Sequence, residues 1–550
     1  MRLLAGLCLL LAIADAAAVD TVLHNGKVWT GDPGQPSATA LAVEGDRIVA
    51  VGDDAAILSL ATGTTRRIDL QGRRVVPGIN DAHTHIEAGP PAVHLGFPPG
   101  QGGSDAVAAA LAAQETTGDL WITAGIDMDA LHDPALRLAG LDALHPHRPV
   151  LLTGWTGHGM LVNSAARRAL GLSPEDVPAG GWLGRDASGA FDGRVYEYAQ
   201  WSPRARLPPR PRQLRGIIAA QSETLLKLGI TSIQNMAIGS PVPDFVAAWR
   251  DTGTLLRVRV IRTPLAKVPG EAPDHLDLPA HDPASPGITV SGTKWILDGT
   301  PMERGAAMRP AYPDGSHGRQ NFSPRQTGAL LREIFERRDQ PLLHISGDAT
   351  MATVLDAMAV IAAAEAWRRL RPRIEHGDGL APDLVQRARD FGLVLVQNPS
   401  HLMLPPPEAA FMRAHALQPL AAALDDGIPL AFGSDGPPSP WLNMMFAIAP
   451  ATRPDQALSR EQVLQAYTAG SAYAEFTEAV KGRLAPGYLA DLAVLSQDVL
   501  DEALPAQALP GTRSLLTMVG GEIAWLDAAL QSPPGSAPPD PADAPEVPRP

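Results

Sequence analysis

Pro77-Gly78-Ile79-Asn80-Asp81-Ala82-His83-Thr84-His85 is the stretch on which the reading of the fold turns. The run from Arg74 to Ile79 is apolar and β-branched, and it gives way at once to Asp81, His83 and His85. Residues two apart in extended backbone face the same way, so both imidazoles can reach one ion. Seven further short apolar runs follow: Ile230 to Gln234, Leu256 to Arg262, Thr293 to Leu297, Leu342 to Ile345, Arg373 to Glu375, Leu393 to Gln397 and Ile428 to Phe432. Helical stretches alternate with them, and eight such strands make an α/β (β/α)8 barrel of the TIM type.

A barrel carries its chemistry where strands end, so the residues at those ends are the informative ones. The fifth run ends in His344, the sixth in His376 and the eighth in Gly433-Ser434-Asp435. Each is a ligand type for a borderline divalent ion. One buried histidine is usually a satisfied core residue, but His83, His85, His344, His376 and Asp435 on one rim predict a metal site. Glu375 and Asp348 lie near ligand histidines and either orient them or are strand-end charges facing helices. His145 and His147, before Pro149, read as surface or turn residues.

Outside the barrel, the runs Thr21–Trp29 and Ala40–Gly52 are β-rich and broken by Gly and Asp, and similar runs return at Ala490–Leu495 and Ser514–Trp525. They predict a composite β-sandwich domain closed by both ends of the chain. The long stretch of about 87–212 is too long for a crossover and reads as an insertion over the barrel mouth. The expected organisation is a signal peptide at 1–18, the composite β domain at 19–74 and 480–531, the barrel at 75–479, and a disordered Pro-rich tail at 532–550.

Composition sets the outer bounds. The 550 residues carry 45 Lys and Arg against 59 Asp and Glu, a formal charge of −14, which argues against a nucleic-acid partner. The one cysteine, Cys8, lies in a segment with an apolar run and an Ala-x-Ala site, the layout of an export signal. Cleavage there leaves a periplasmic or secreted protein without a thiol, so cysteine nucleophiles and Cys–metal sites drop out. No later run approaches the length of a membrane span.

With these residues in view, the sequence resembles the amidohydrolase superfamily of metal-dependent hydrolases. Gly157-His158-Gly159-Met160-Leu161-Val162-Asn163-Ser164, Gly193-Arg194-Val195-Tyr196-Glu197, Gly292-Thr293-Lys294 with Asp298-Gly299, and Lys481-Gly482-Arg483-Leu484-Ala485-Pro486-Gly487 narrow the resemblance to its YtcJ-like, amidohydrolase 3 branch. The resemblance implies a barrel, one or two metal ions, most simply zinc, and hydrolysis of a small molecule. It also implies that Lys294, on the fourth strand, is carboxylated and shared by two ions; the alternative is a buried ion pair with Asp298 or Glu197.

Asp435 is then the expected base for water. His158, Asn163, Glu197 and Asp298 are expected to meet substrate. The expected reaction is cleavage of an amide, N-acyl, N-formyl or cyclic amide C–N bond. The rivals are an esterase or lactonase on the same site, or a metal-retaining binding protein. The oligomeric state, a homodimer included, stays open.

Overall fold

The computed structural model describes residues 19–531 apart from 88, 99, 205–209 and 266–286. The expected signal peptide and Pro-rich tail lie outside the described residues. Eight parallel strands form one sheet, in the order Ile79–Thr84, Ile230–Ala237, Arg257–Arg262, Ile288–Ile296, Pro341–Ile345, Arg373–His376, Val394–Gln397 and Leu430–Phe432. The spatial order is the chain order, as right-handed βα crossovers produce. These strands read as near-continuous apolar runs because the sheet is buried on both faces.

The expected first strand needs correction. Arg74–Pro77 and Ile79–Thr84 are separate strands: the former pairs with Lys27–Trp29 and Leu492–Leu495, and only the latter enters the barrel. Gly78 is the point of divergence, because a Cβ there would collide with the Thr231 side chain. The chain thus steps from one sheet to the next within a single apolar run, which hydrophobicity alone cannot resolve.

The last strand meets the first at a seam built from side chain and backbone. Asp435 N–H donates to His83 O at 2.8 Å, and Ser434 donates to Asp81 through both its backbone N–H, at 2.9 Å, and its hydroxyl. Asp81 also accepts from His83 N–H at 3.2 Å. Gly433 lies so close that an added Cβ would overlap the backbone nitrogen and Cβ of His83.

Two further sheets lie outside the barrel, the first built from both ends of the sequence and the second from N-terminal residues alone. Glu522–Leu526, Ser514–Val519, Leu492–Leu495, Arg74–Pro77, Lys27–Trp29 and Ser37–Ala38 form one; Arg47–Gly52, Ala40–Glu44, Thr21–His24 and Arg66–Asp69 form the other. Leu23, Leu41, Ile48, Val75, Leu492 and Leu516 share one core between them. The bidentate pair of Arg74 with Asp498, at 2.7 and 2.9 Å, ties the ends together at the rim.

The stretch after the first barrel strand is a structured unit. It holds a six-stranded sheet in the order Ala92–Leu95, Trp121–Ile126, Val150–Gly154, Gly159–Val162, Phe191–Glu197 and Gly181–Arg185. Among the described residues, no helix is long and apolar enough to cross a membrane.

The seam yields a test. Gly433→Ala is expected to cost about 1–3 kcal/mol or more, the scale of overpacking in a tight interior. Gly216→Ala, in the helix Pro211–Lys227 where a Cβ meets nothing within 4 Å, is expected to stabilise by about 0.4–1 kcal/mol. Urea unfolding of both variants checks the contrast.

Candidate metal centre

His83 is the hub of the site. It is fully buried near the end of the first barrel strand, and its Nδ1 lies 2.7 Å from Glu375 Oε2. Glu375 is gripped in turn by Arg373, whose Nε donates to Oε1 at 2.8 Å and whose Nη2 donates to Oε2 at 3.0 Å. Arg373 Nη2 also donates to Ala82 O at 2.7 Å, and Nη1 to the side chain of Gln234. All these groups are buried, so the arginine and the carboxylate neutralise one another where neither could stand alone. Burial opposes ionisation of Glu375, yet Arg373 and His83 hold it well below the usual carboxylate range.

With Nδ1 engaged by Glu375, His83 turns Nε2 into the barrel mouth. There it lies 3.3 Å from His85 Nε2, 3.4 Å from Lys294 Nζ and 3.5 Å from Asp435 Oδ1. Burial, reinforced by Lys294, lowers the His83 pKa to about 4, so its imidazole is neutral at physiological pH. His85 Nε2 is 3.1 Å from Asp435 Oδ1, and its Nδ1 is 3.3 Å from Met236 O. Burial resists a charge on His85, but Asp435 outweighs it and raises the pKa. Asp435 is itself held well below its ordinary value: His83 and His85 overcome the effect of burial.

The expected ligands of the other strands stand opposite. The rings of His344 and His376 lie 4.3 Å apart by centroid, and His376 is 5.1 Å from His83. Burial keeps both neutral, with pKa values well below ordinary. His376 and Asp435 have positive φ, 69° and 51°. Non-glycine residues in that region are strained, and here the turn aims both side chains back over the mouth. Among the described residues, two groups have ligand atoms within 4.8 Å of one another: His83, His85 and Asp435, and His376, His401 and Asp435.

His401 escaped the sequence reading. It sits on a single 3-10 turn, Pro399–Leu402, just beyond the seventh strand, rather than at a strand end. Its Nε2 is 2.8 Å from Gly436 O and its Nδ1 is 3.7 Å from Asp435. The signal was present in Gln397-Asn398-Pro399-Ser400-His401, where the strand breaks at a proline on the same rim.

Lys294 is buried on the fourth strand and makes neither of the ion pairs expected of it. Asp298 accepts from the backbone of Ser346, Gly347 and Ala307, and Glu197 from His158 and Asn321. Burial lowers the Lys294 pKa to about 8, with Glu375 and Asp435 acting against the fall.

The insertion contributes His158, whose Nδ1 is 2.8 Å from Glu197 Oε1 and whose ring is 4.6 Å from that of His344. Burial opposes a charge on His158, but Glu197 raises its pKa to about 9. Asn321 Nδ2 donates to the other oxygen of Glu197 at 2.9 Å and fixes it. His158, His344, His376, His401, Asp435 and Trp155 line one cavity of about 50 Å3.

Four expectations are corrected. Asn163 does not face the site: Oδ1 accepts from Val150 and Ala166 N–H while Nδ2 donates to His145 O and Arg148 O, so it caps a helix inside the insertion. Asp298 is buried under the loop after the fifth strand, where its backbone partners hold the Ser346–Gly347 turn in place. Asp348 accepts from Arg309 rather than orienting His344. His145 is buried, with Nε2 2.9 Å from Leu111 O, whereas His147 is exposed.

Comparison with known proteins agrees with this geometry. Residues 66–524 match the profile of the amidohydrolase family. The chain is 26% identical to the YtcJ protein of Bacillus subtilis, over 92% of this chain and 99% of that one. It is 27% identical to the N-substituted formamide deformylase of Arthrobacter pascens, over 88% and 94%. Among solved structures, an uncharacterized metal-dependent hydrolase from Pyrococcus furiosus shares the fold with a TM-score of 0.64 at 23% identity, covering 88% of this chain and all 100% of that one. The match over residues 66–524, which takes in the whole barrel and its rim of histidines and one aspartate, places the chain in the amidohydrolase family, in its YtcJ-like branch.

Proposed function

We propose that the chain is an exported, metal-dependent amidohydrolase that cleaves the C–N bond of a small N-acyl compound, with N-substituted formamides the first class to test. The observation that carries this reading is the convergence of His83, His85 and Asp435. His83 Nδ1 is engaged by Glu375 and His85 Nδ1 faces a carbonyl, so two Nε2 lone pairs and a carboxylate oxygen point at one another. Such a set fits a divalent cation, and its N and O donors suit zinc. His376 and His401 offer the same chemistry on the other side of Asp435, and Lys294, with Nζ 3.4 Å from His83 Nε2, would add an oxygen ligand if carboxylated. Similarity to a formamide deformylase supports the choice of bond, and the Met1–Ala18 segment supports export.

A bound divalent ion supplies Lewis acidity and lowers the pKa of water to near neutrality. Asp435, ionised and acceptor-only, takes the proton of the attacking water. It then delivers that proton to the leaving nitrogen as the C–N bond breaks, giving a carboxylic acid and an amine. Glu375 and Arg373 hold His83 in one orientation and tautomer throughout. His158, kept protonated by Glu197, points a donor at the cavity and stabilises negative charge on the acyl oxygen.

Three outcomes are expected. Elemental analysis of reconstituted protein should find one or two equivalents of zinc; His83→Ala and His85→Ala lose metal, and His147→Ala keeps it. Total absence of transition metal in the parent would end this reading. Asp435→Asn should slow turnover by roughly 10²- to 10⁴-fold. A near-parental rate for that variant on the best amide across neutral pH would remove Asp435 as the base, whereas cleavage of esters but no amide would move the reading to an esterase. Lys294→Ala should lose one equivalent and regain part of its activity with added formate or acetate; an unmodified amine in the metal-loaded parent, seen by intact mass under carbon dioxide, speaks against carboxylation.

A further inference from the structure

The chamber beside the ligands carries a second carboxylate to which the mechanism above gives no part. Asp378 lines it together with His158, His376, His401 and Asp435, and is only 6% exposed. Asp435 is engaged by His83 and His85, whereas Asp378 forms no ion pair with any described residue. Burying a carboxylate without a cation is costly, so its place on the wall of a cavity points to a partner that the ligand supplies.

The loop that carries Asp378 is built to fix it. The sixth barrel strand, Arg373–His376, runs straight into Gly377-Asp378-Gly379. Gly377 donates its N–H to Ile345 O at 3.0 Å and has a φ of 64°, and a Cβ there would overlap the side chain of Leu395. A Cβ on Gly379 would overlap the backbone of Gly347 and Asp348. The two glycines thus let the loop lie against the fifth and seventh strands, and the one side chain between them is that of Asp378. Gln418, itself buried, then clamps it: its backbone N–H donates to Asp378 O at 2.7 Å and its Nε2 to Oδ1 at 2.9 Å. Burial raises the pKa of Asp378, and hydrogen bonds from Gln418 and Ser346 oppose the rise. A carboxylate has roughly four lone-pair sites, so these two bonds leave it able to accept from a ligand.

The wall therefore offers two unlike groups from two different elements, a donor on His158 and an acceptor on Asp378. A secondary amide carries the matching pair, a C=O that accepts and an N–H that donates. An ester has two acceptor oxygens and no donor, and a tertiary amide has lost its N–H. The chamber measures about 50 Å3, so a scissile group held in it lies close to both walls.

We propose that Asp378 is a specificity-determining residue that accepts the N–H of the scissile amide, so that the site selects secondary amides over tertiary amides and esters of the same shape. The inference rests on the C–N reading above. Asp378 takes no proton: it holds the hydrogen already on the nitrogen, while Asp435 delivers the second. An ester oxygen in the same place would set its lone pairs against the carboxylate, and that repulsion adds to the missing hydrogen bond.

The experiment measures kcat/KM of the zinc-loaded parent, Asp378→Asn and Asp378→Ala on N-benzylformamide, N-benzyl-N-methylformamide and benzyl formate. In Asp378→Asn the volume is kept, but Gln418 Nε2 still claims Oδ1, so a donor replaces the acceptor in the chamber. Both variants should lose roughly 10- to 10²-fold on the N–H compound, the scale of a hydrogen bond to a charged group, and less than about threefold on the other two. Their zinc content should match that of the parent. An equal loss on all three compounds, no loss on any, or loss of zinc from Asp378→Asn would overturn the assignment. A parent that cleaves the ester alone removes the C–N reading and the assignment together. If the parent cleaves none of the three, calorimetric binding of the two formamides to parent and Asp378→Asn decides separately. A preference for N-benzylformamide that disappears in the variant supports Asp378 while the C–N reading falls; no preference in the parent, or no binding of either compound, sinks both.

Discussion

The contact between the eighth barrel strand and the first is the constraint on which the site depends. Asp435 can face His83 and His85 only if two strands separated by most of the chain lie at backbone contact. Gly433 makes that approach possible, and Asp81 makes it specific by binding Ser434 and His83 together. Asp435, the proposed base, and His83, a proposed metal ligand, are thus fixed by the same hydrogen bonds that close the barrel. Catalytic geometry of this kind tolerates errors well under an ångström, and a closed sheet supplies that stiffness where loops would not.

The charges of the centre are arranged so that each neutral imidazole has a reason to stay neutral. Arg373 compensates Glu375, which frees Glu375 to accept from His83 without drawing a second proton onto it. On the insertion the logic runs the other way: among the described residues Glu197 pairs with no arginine, only with the amide of Asn321 and with His158, whose pKa it raises. The imidazoles of the two Glu–His pairs therefore shift in opposite directions, His83 towards neutrality and His158 towards charge. The difference is set by what stands behind each carboxylate.

Much of this was legible because strands buried on both faces announce themselves as apolar runs, and because the polar residue ending each run is where the chain meets water. His83, His344, His376 and Asp435 are read from the sequence in that way, and they lie together at one rim. Arg74–Ile79 misled because a strand of one sheet and a strand of the next share a single apolar run, with only Gly78 between them. Asn163 and Asp298 misled for another reason: a buried polar side chain that caps a helix or holds a loop has the same composition as one that meets a ligand. His401 was hidden by its offset, since a short 3-10 turn carries it past the strand end before it returns to the rim. Partners of the backbone, unlike partners of water, leave no trace in the order of residues.

The pairing of Arg74–Pro77 with Leu492–Leu495 bears on how the chain reaches its final form. On a ribosome the N-terminal strands emerge long before their neighbour exists. The four-stranded sheet of Thr21–Asp69 can assemble from local contacts, but Arg74–Pro77 must wait with an open edge until Leu492–Leu495 appears. Ile79–Thr84 waits likewise for Leu430–Phe432. Contacts of such sequence separation are slow to form, and exposed strand edges invite association with other chains in the interval. A stall before Leu430–Phe432 emerges would leave Ile79–Thr84, the strand that carries His83, unsealed, so the geometry proposed to bind metal forms late in synthesis.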